Sequence, residues 1–193
     1  MGRTTGRSPE DTRRLVLDAA AREICREGIR TSLDTIAQRA GVSKGGLIYH
    51  FPSKEALHVA LVAEEVDGWR ELVEHEVDPD DHGPGRLTRA YVRASLAPFD
   101  GEDARERFRL FAQLSTVPAA VRMAEEDDRR WQRELEADGV PQATRVLVVA
   151  AADGVGGPPL WVAPPSDEVR ARLLADLLAM IDAAVAEAPV SDG

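Results

Sequence analysis

The stretch LDTIAQRAGVSKGGLIYHFPSK, Leu33 to Lys54, decides how this chain is read. Leu33, Ile36, Ala37 and Ala40 recur at i, i+3, i+4 and i+7, which gathers them on one face of a short helix. Ser32 or Thr31 supplies its N-cap. Gly41 permits a left-handed turn, and Val42 plugs the angle between this helix and the next. Ser43 caps the following short helix, whose Leu47 and Phe51 turn back toward a core. Lys44, Tyr49, His50 and, just past the helix, Lys54 are left to point outward. Two short helices joined through a glycine, the second anchored inside and polar outside, are the layout of a helix-turn-helix. That layout predicts a helix set in the major groove of double-stranded DNA. Lysines near phosphates supply affinity there, and a hydroxyl or amide against base edges supplies selectivity. Ser32 and Ser43 also place helix N-terminal N–H groups where they can meet phosphate. Gly45 and Gly46 each cost roughly 1 kcal/mol against alanine within a helix. Close approach of the backbone to DNA explains them, or else the first turn simply tolerates glycine.

Working outward, a helix from about Glu10 to Glu27 carries Val16, Ala20 and Ile24 as an inner stripe, and Gly28 ends it. Ser53 caps a long fourth helix running to about Glu76. Residues 78–85 read as a loop by composition. Further helices are expected at about 86–98, 102–116, 118–138, 142–155 and 166–187, with a Gly- and Pro-rich link holding Trp161 before the last. The segment 142–155 is apolar on nearly every side, so it belongs in a core or an interface. Strand-like alternation is scarce, and the predicted class is all-α. Residues 1–8 read as a flexible polar tail, whose Arg3 and Arg7 either reach a minor groove or have no role.

Of the 193 residues, 44% are hydrophobic and 30% charged, which suits one or two globular domains. No apolar run approaches the ~20 residues that span a bilayer, and the arginine-containing N-terminus lacks the apolar core of a secretory signal. With one cysteine, Cys25, no intrachain disulfide is possible, and a cytoplasmic location is expected. The net charge of −10 argues against a general nucleic-acid coat, but its distribution is uneven. Residues 1–55 carry a net +3 and residues 56–193 a net −13. A basic head on an acidic body fits a DNA-binding domain joined to one with a different task. That acidity inclines the expected ligand toward a cationic or neutral molecule.

The segments RRLVLDAAAREICREG and TSLDTIAQRAGVSKGGLIYHFPSKEAL resemble the TetR/AcrR family of transcriptional regulators over roughly residues 10–60. The resemblance implies an all-helical homodimer with a three-helix DNA-binding domain, here residues 9–55, and a helical ligand-binding and dimerisation domain, here 56–193. It implies a repressor released from an inverted-repeat operator by a small-molecule effector. By motif position, Thr31 and Ser32 open the second helix near the DNA backbone, and Ser43, Lys44 and Gly45 begin the recognition helix. Tyr49 and His50 lie along the groove, and Lys54 meets phosphate. Ile48 departs from the tyrosine, and Ile24 from the aromatic residue, often found at those positions.

The resemblance also implies a pocket among the middle helices. The candidates to line it are Trp69, Tyr91, Phe99, Phe108, Phe111, Met123 and Trp131, each of which taken singly reads as ordinary core before it reads as a ligand contact. The last two helices are implied to pair across the dimer axis through Val146, Leu147, Ala150, Leu173, Leu174, Leu177 and Ile181. No cofactor and no metal is expected, because His50, His58, His75 and His82 lack partners at metal-ligand spacing. Cys25 reads as a small buried hydrophobe. A ligand-responsive activator of the same fold remains open. So does a helical carrier or enzyme with a helix-turn-helix-like corner.

Overall fold

A computed structural model describes residues 8–98, 101–156 and 165–187. Those residues form nine helices and the turns between them: α1 (Pro9–Glu27), α2 (Leu33–Ala40), α3 (Lys44–His50), α4 (Lys54–His75), α5 (Arg86–Ser95), α6 (Gly101–Leu114), α7 (Pro118–Ala137), α8 (Gln142–Gly156) and α9 (Asp167–Glu187). The all-α expectation holds, and the predicted helices fall within a few residues of their observed ends. Residues 1–7, with Arg3 and Arg7, lie outside the described residues, as do Phe99 and Trp161.

The chain divides into two compact units. The first is Met1–Val66 with Glu106–Glu125, and the second is Asp67–Arg105 with Glu126–Gly193. By sequence, α4, α6 and α7 each contribute residues to both.

The core of the first unit gathers Val16, Leu17, Ala20 and Ile24 of α1, Ile36 and Ala37 of α2, Leu47 of α3 and Leu57 and Leu61 of α4. Leu110 and Leu114 of α6 complete it. Ser8 begins α1 with a capping box: Asp11 N–H donates to Ser8 Oγ at 3.0 Å, and Ser8 N–H donates to Asp11 Oδ2 at 3.2 Å. Glu23 is almost fully buried and takes Arg26 at 2.7 Å and Arg39 at 3.3 Å, which ties α2 to α1. Cys25 is half-buried; its thiol donates to the Glu106 carbonyl at 3.4 Å, and burial pushes its pKa up.

The second unit holds two clusters. Val92, Val148, Ala152, Leu177 and Ile181 bring α5, α8 and α9 together. Val73, Ala90, Trp131 and Leu135 bring α4, α5 and α7 together. Gly85 starts α5 at φ 84°, and a Cβ there would come within 3.0 Å of Ile181 Cγ2, so glycine lets α5 begin against α9. Asp138 caps α5 from a distance: its carboxylate accepts from the N–H groups of Leu87 at 3.0 Å and Thr88 at 2.7 Å, and from the Thr88 hydroxyl.

Candidate nucleic-acid interface and the aromatic cluster

Ser32 Oγ accepts from Thr35 N–H at 3.1 Å and shares a 2.9 Å hydrogen bond with the Thr35 hydroxyl, so of the two cap candidates Ser32 is the one that caps α2. Gly41 ends the helix at φ 67°, ψ 33°, and Val42 N–H reaches back to the Ala37 carbonyl at 3.0 Å. Val42 is half-buried against the core. Ser43 Oγ then accepts from Gly46 N–H at 3.0 Å and starts α3. Leu47 and Phe51 are buried, and the Arg13 guanidinium lies 5.5 Å from the Phe51 ring centroid. With one side fixed inward, α3 turns Lys44, Gly45, Ile48 and Tyr49 to solvent, Tyr49 at 81% exposure.

The predicted polar set falls into two groups. Ser32, Ser43, Lys44, Gly45 and Tyr49 are exposed. His50 is half-buried, edge-on to Tyr49 with ring centroids 5.2 Å apart, and it borders a hollow of about 590 Å³ with Arg13, Arg14 and Glu64. Lys54 is half-buried at the start of α4, where burial and then the Arg30 charge lower its pKa. Thr31 is turned inward: its hydroxyl donates to the Gly28 carbonyl at 2.9 Å and its amide to the same oxygen at 3.1 Å.

The two glycines of α3 differ. A Cβ on Gly46 would stand 3.3 Å from Ser43 Oγ and crowd the cap, whereas one on Gly45 meets nothing within 4 Å. Folding therefore has a use for Gly46 and none that is visible for Gly45.

Sequence reasoning missed Asp34, whose Oδ2 takes Lys44 Nζ at 2.9 Å. The pair is ten residues apart across the turn, outside the i, i+3 and i, i+4 spacings that flag helix ion pairs. Ile48 was left out for lack of a polar group, yet it shares the exposed face with Tyr49.

The aromatic candidates belong to separate units. Trp69, Tyr91 and Trp131 meet in the second unit, with Tyr91 edge-on to both indoles at centroid distances of 5.4 and 5.3 Å. Phe108, Phe111 and Met123 belong to the first unit; Phe111 is exposed and Met123 packs on that unit's core. The Arg70 guanidinium lies 4.4 Å from the Trp131 ring centroid and donates to Asp127 at 2.8 Å and Glu134 at 2.8 Å. Tyr91 OH donates to Asp153 Oδ1 at 2.9 Å. Burial, then the Asp153 charge, pushes the Tyr91 pKa far up, and burial raises that of Asp153.

Of the residues expected at a dimer axis, Val146, Leu147 and Ala150 are exposed on α8, and Leu173 and Leu174 are half-buried on α9. Leu177 and Ile181 are buried inside their own protomer.

A family model described as bacterial regulatory proteins, tetR family, matches residues 16–61, the region of α1 through the start of α4. A second, the tetracyclin repressor-like C-terminal domain, matches residues 85–182, just over half of the chain.

This chain belongs to the TetR family.

Among relatives, the HTH-type transcriptional regulator RutR of Escherichia coli (strain K12) is 33% identical over 127 residues. That match covers 64% of this TetR-family chain and 58% of RutR. The crystal structure of a transcriptional regulator from Pseudomonas aeruginosa PAO1 shares the fold, with a TM-score of 0.68 at 17% identity, covering 96% of this chain and 95% of that one. The multidrug binding protein EbrR, solved with malachite green, aligns with a TM-score of 0.66 at 26% identity, covering 88% and 97%. Among the described residues of this TetR-family member, no helix is long and apolar enough to cross a membrane, and no His, Cys, Asp and Glu cluster could hold a metal ion.

Proposed function

We propose that this protein is a homodimeric, DNA-binding transcriptional repressor of the cytoplasm, released from an inverted-repeat operator by a small-molecule effector. Residues 9–55 are the DNA-binding head, and residues 56–193 bind effector and dimerise. The observation that carries this reading is the division of α3, with Leu47 and Phe51 buried and Lys44, Gly45, Ile48 and Tyr49 outside. A helix held by its inner face and bare on its outer one is suited to a groove. In the dimer, two such helices stand about one DNA turn apart, roughly 34 Å. Val146 and Leu147, both more than half exposed, support a partner chain against α8. The likeness to EbrR, which is solved with malachite green, supports a small-molecule effector. An effector lowers DNA affinity only by binding more tightly to the state that does not fit the operator.

Selection of genomic DNA fragments by the purified protein tests the reading. Recovered sites contain an inverted repeat, and affinity falls steeply with salt. Lys44→Ala and Tyr49→Ala combined in one chain abolish operator binding with helical content unchanged. Binding that survives both substitutions removes α3 from its role as recognition helix. A reporter gene downstream of the recovered site, with and without the protein, separates repression from activation.

A further inference from the structure

The outer face of α3 carries an aliphatic side chain that the fold does not use. Lys44, Gly45, Ile48 and Tyr49 stand at i, i+1, i+4 and i+5, which sets them on one face, and all four are exposed. Leu47 and Phe51 take the opposite side into the core of the first unit. Ile48, at 40% exposure, lies outside that core. A lone isoleucine on a surface is ordinary. This one stands on a seven-residue helix, where a β-branched residue loses rotamer freedom and a glycine loses more backbone freedom still. A Cβ on Gly45 would meet nothing within 4 Å, so packing inside the protein sets neither residue. Their use lies outside it.

Base edges in the major groove present acceptors, amino groups and one apolar feature, the C5 methyl group of thymine. An isoleucine laid against an acceptor or an amino group strips it of water and gives no hydrogen bond in return. Laid against the thymine methyl, it removes apolar surface of both partners from water. The side chain is short, so this contact requires α3 to come close to the base edges. Gly45, one turn before Ile48 and without a side chain, leaves room for that approach. Lys44 and Tyr49, on the same face, carry polar groups suited to phosphate and base edges around it.

We infer that Ile48 is a specificity-determining residue that reads a thymine in each operator half-site through its C5 methyl group. The inference rests on the proposed seating of α3 in the major groove, and goes beyond it by assigning a base to one side chain. Phosphate contacts give affinity common to all sequences, and Ile48 adds discrimination at one base pair.

Mobility shifts with the full chain and duplexes carrying a site recovered by the genomic selection test this. Each thymine of one half-site is replaced in turn by deoxyuridine, which keeps its pairing and its O4 acceptor and lacks only the methyl. At one position the replacement weakens binding about fourfold, the worth of one buried methyl group. Ile48→Ala alters both half-sites, so it weakens binding to the thymine duplex by roughly fifteenfold. It also binds the thymine and deoxyuridine duplexes equally at that position, while its response at every other position matches wild type. Ile48→Val keeps most of the discrimination and serves if the alanine variant fails to fold. A scan that is flat for wild type overturns the inference. So does a deoxyuridine effect that Ile48→Ala retains in full, which assigns the methyl contact to another side chain. A protein that binds recovered DNA with a flat scan loses only this inference. One that selects no DNA site loses the proposed function, and this inference with it.

Discussion

Lys44 Nζ on α3 lies 2.9 Å from Asp34 Oδ2 on α2, so the cation that opens the proposed recognition helix is already paired within its own unit. Both side chains are more than half exposed, and such a pair adds about 0–1 kcal/mol to folding. Its weight falls on DNA binding, because phosphate must compete with Asp34 for the lysine. Asp34→Asn leaves the urea midpoint nearly unchanged and tightens operator binding at low salt. Lys44→Ala weakens binding and lowers the slope of log affinity against log salt by about one. Mobility shifts across a salt series measure both.

Gly45 and Gly41 separate a surface need from a backbone need. Gly45→Ala meets nothing within the protein and removes a flexible residue from a helix, so folding is unchanged or gains up to about 1 kcal/mol. DNA affinity falls, because the added methyl occupies the face proposed to meet the groove. Gly41→Ala does the reverse first: a φ of 67° costs a side chain roughly 1–2 kcal/mol, seen as a lower urea midpoint.

His58 on α4 is buried, and its Nε2 has no partner among the described residues. Burial, then the Lys54 charge, holds its pKa below the ordinary value. The unfolded chain therefore takes up a proton at higher pH than the folded protein does. This contribution to stability is complete above about pH 6.5 and is lost as pH falls below it. Thermal melts between pH 8 and pH 5 should drop more for wild type than for His58→Leu. Parallel curves would assign the acid sensitivity to other groups.

Arg70 joins Asp127 and Glu134 while covering the Trp131 ring, with little exposure of the arginine or of Asp127. Arg70→Met leaves a carboxylate poorly solvated and unpaired, at a cost of about 3 kcal/mol. Replacing Asp127 by Asn in the same chain recovers part of that loss, because the stranded charge is removed. Denaturant titration of the two single variants and the double variant gives the coupling directly.

The head was legible because its signals are local. Caps at Ser32 and Ser43, the glycine at 41 and the i, i+3, i+4 pattern of α2 each act within one turn of chain, where residue type nearly fixes the backbone. Thr31 was ambiguous for the same reason: two adjacent hydroxyl residues can both cap, and only the fold engages Thr31 with Gly28 and frees Ser32. The aromatic candidates were less legible. Large side chains mark burial without saying which helices share a core, so Phe111 and Trp131 looked alike until the units were known.

By itself, the sequence determined that this chain is all-helical, where its helices begin and end, and which residues form a helix-turn-helix, since capping, glycine turns and apolar periodicity act over short spans of chain. The tertiary structure alone decided that Asp34 holds Lys44, that Gly46 serves the cap while Gly45 is bare, that Leu177 and Ile181 are interior, and that Tyr91 stands edge-on to both Trp69 and Trp131. Each of those facts depends on residues brought together from distant or differently oriented helices. Contact and desolvation in three dimensions, which no local pattern encodes, set their energies.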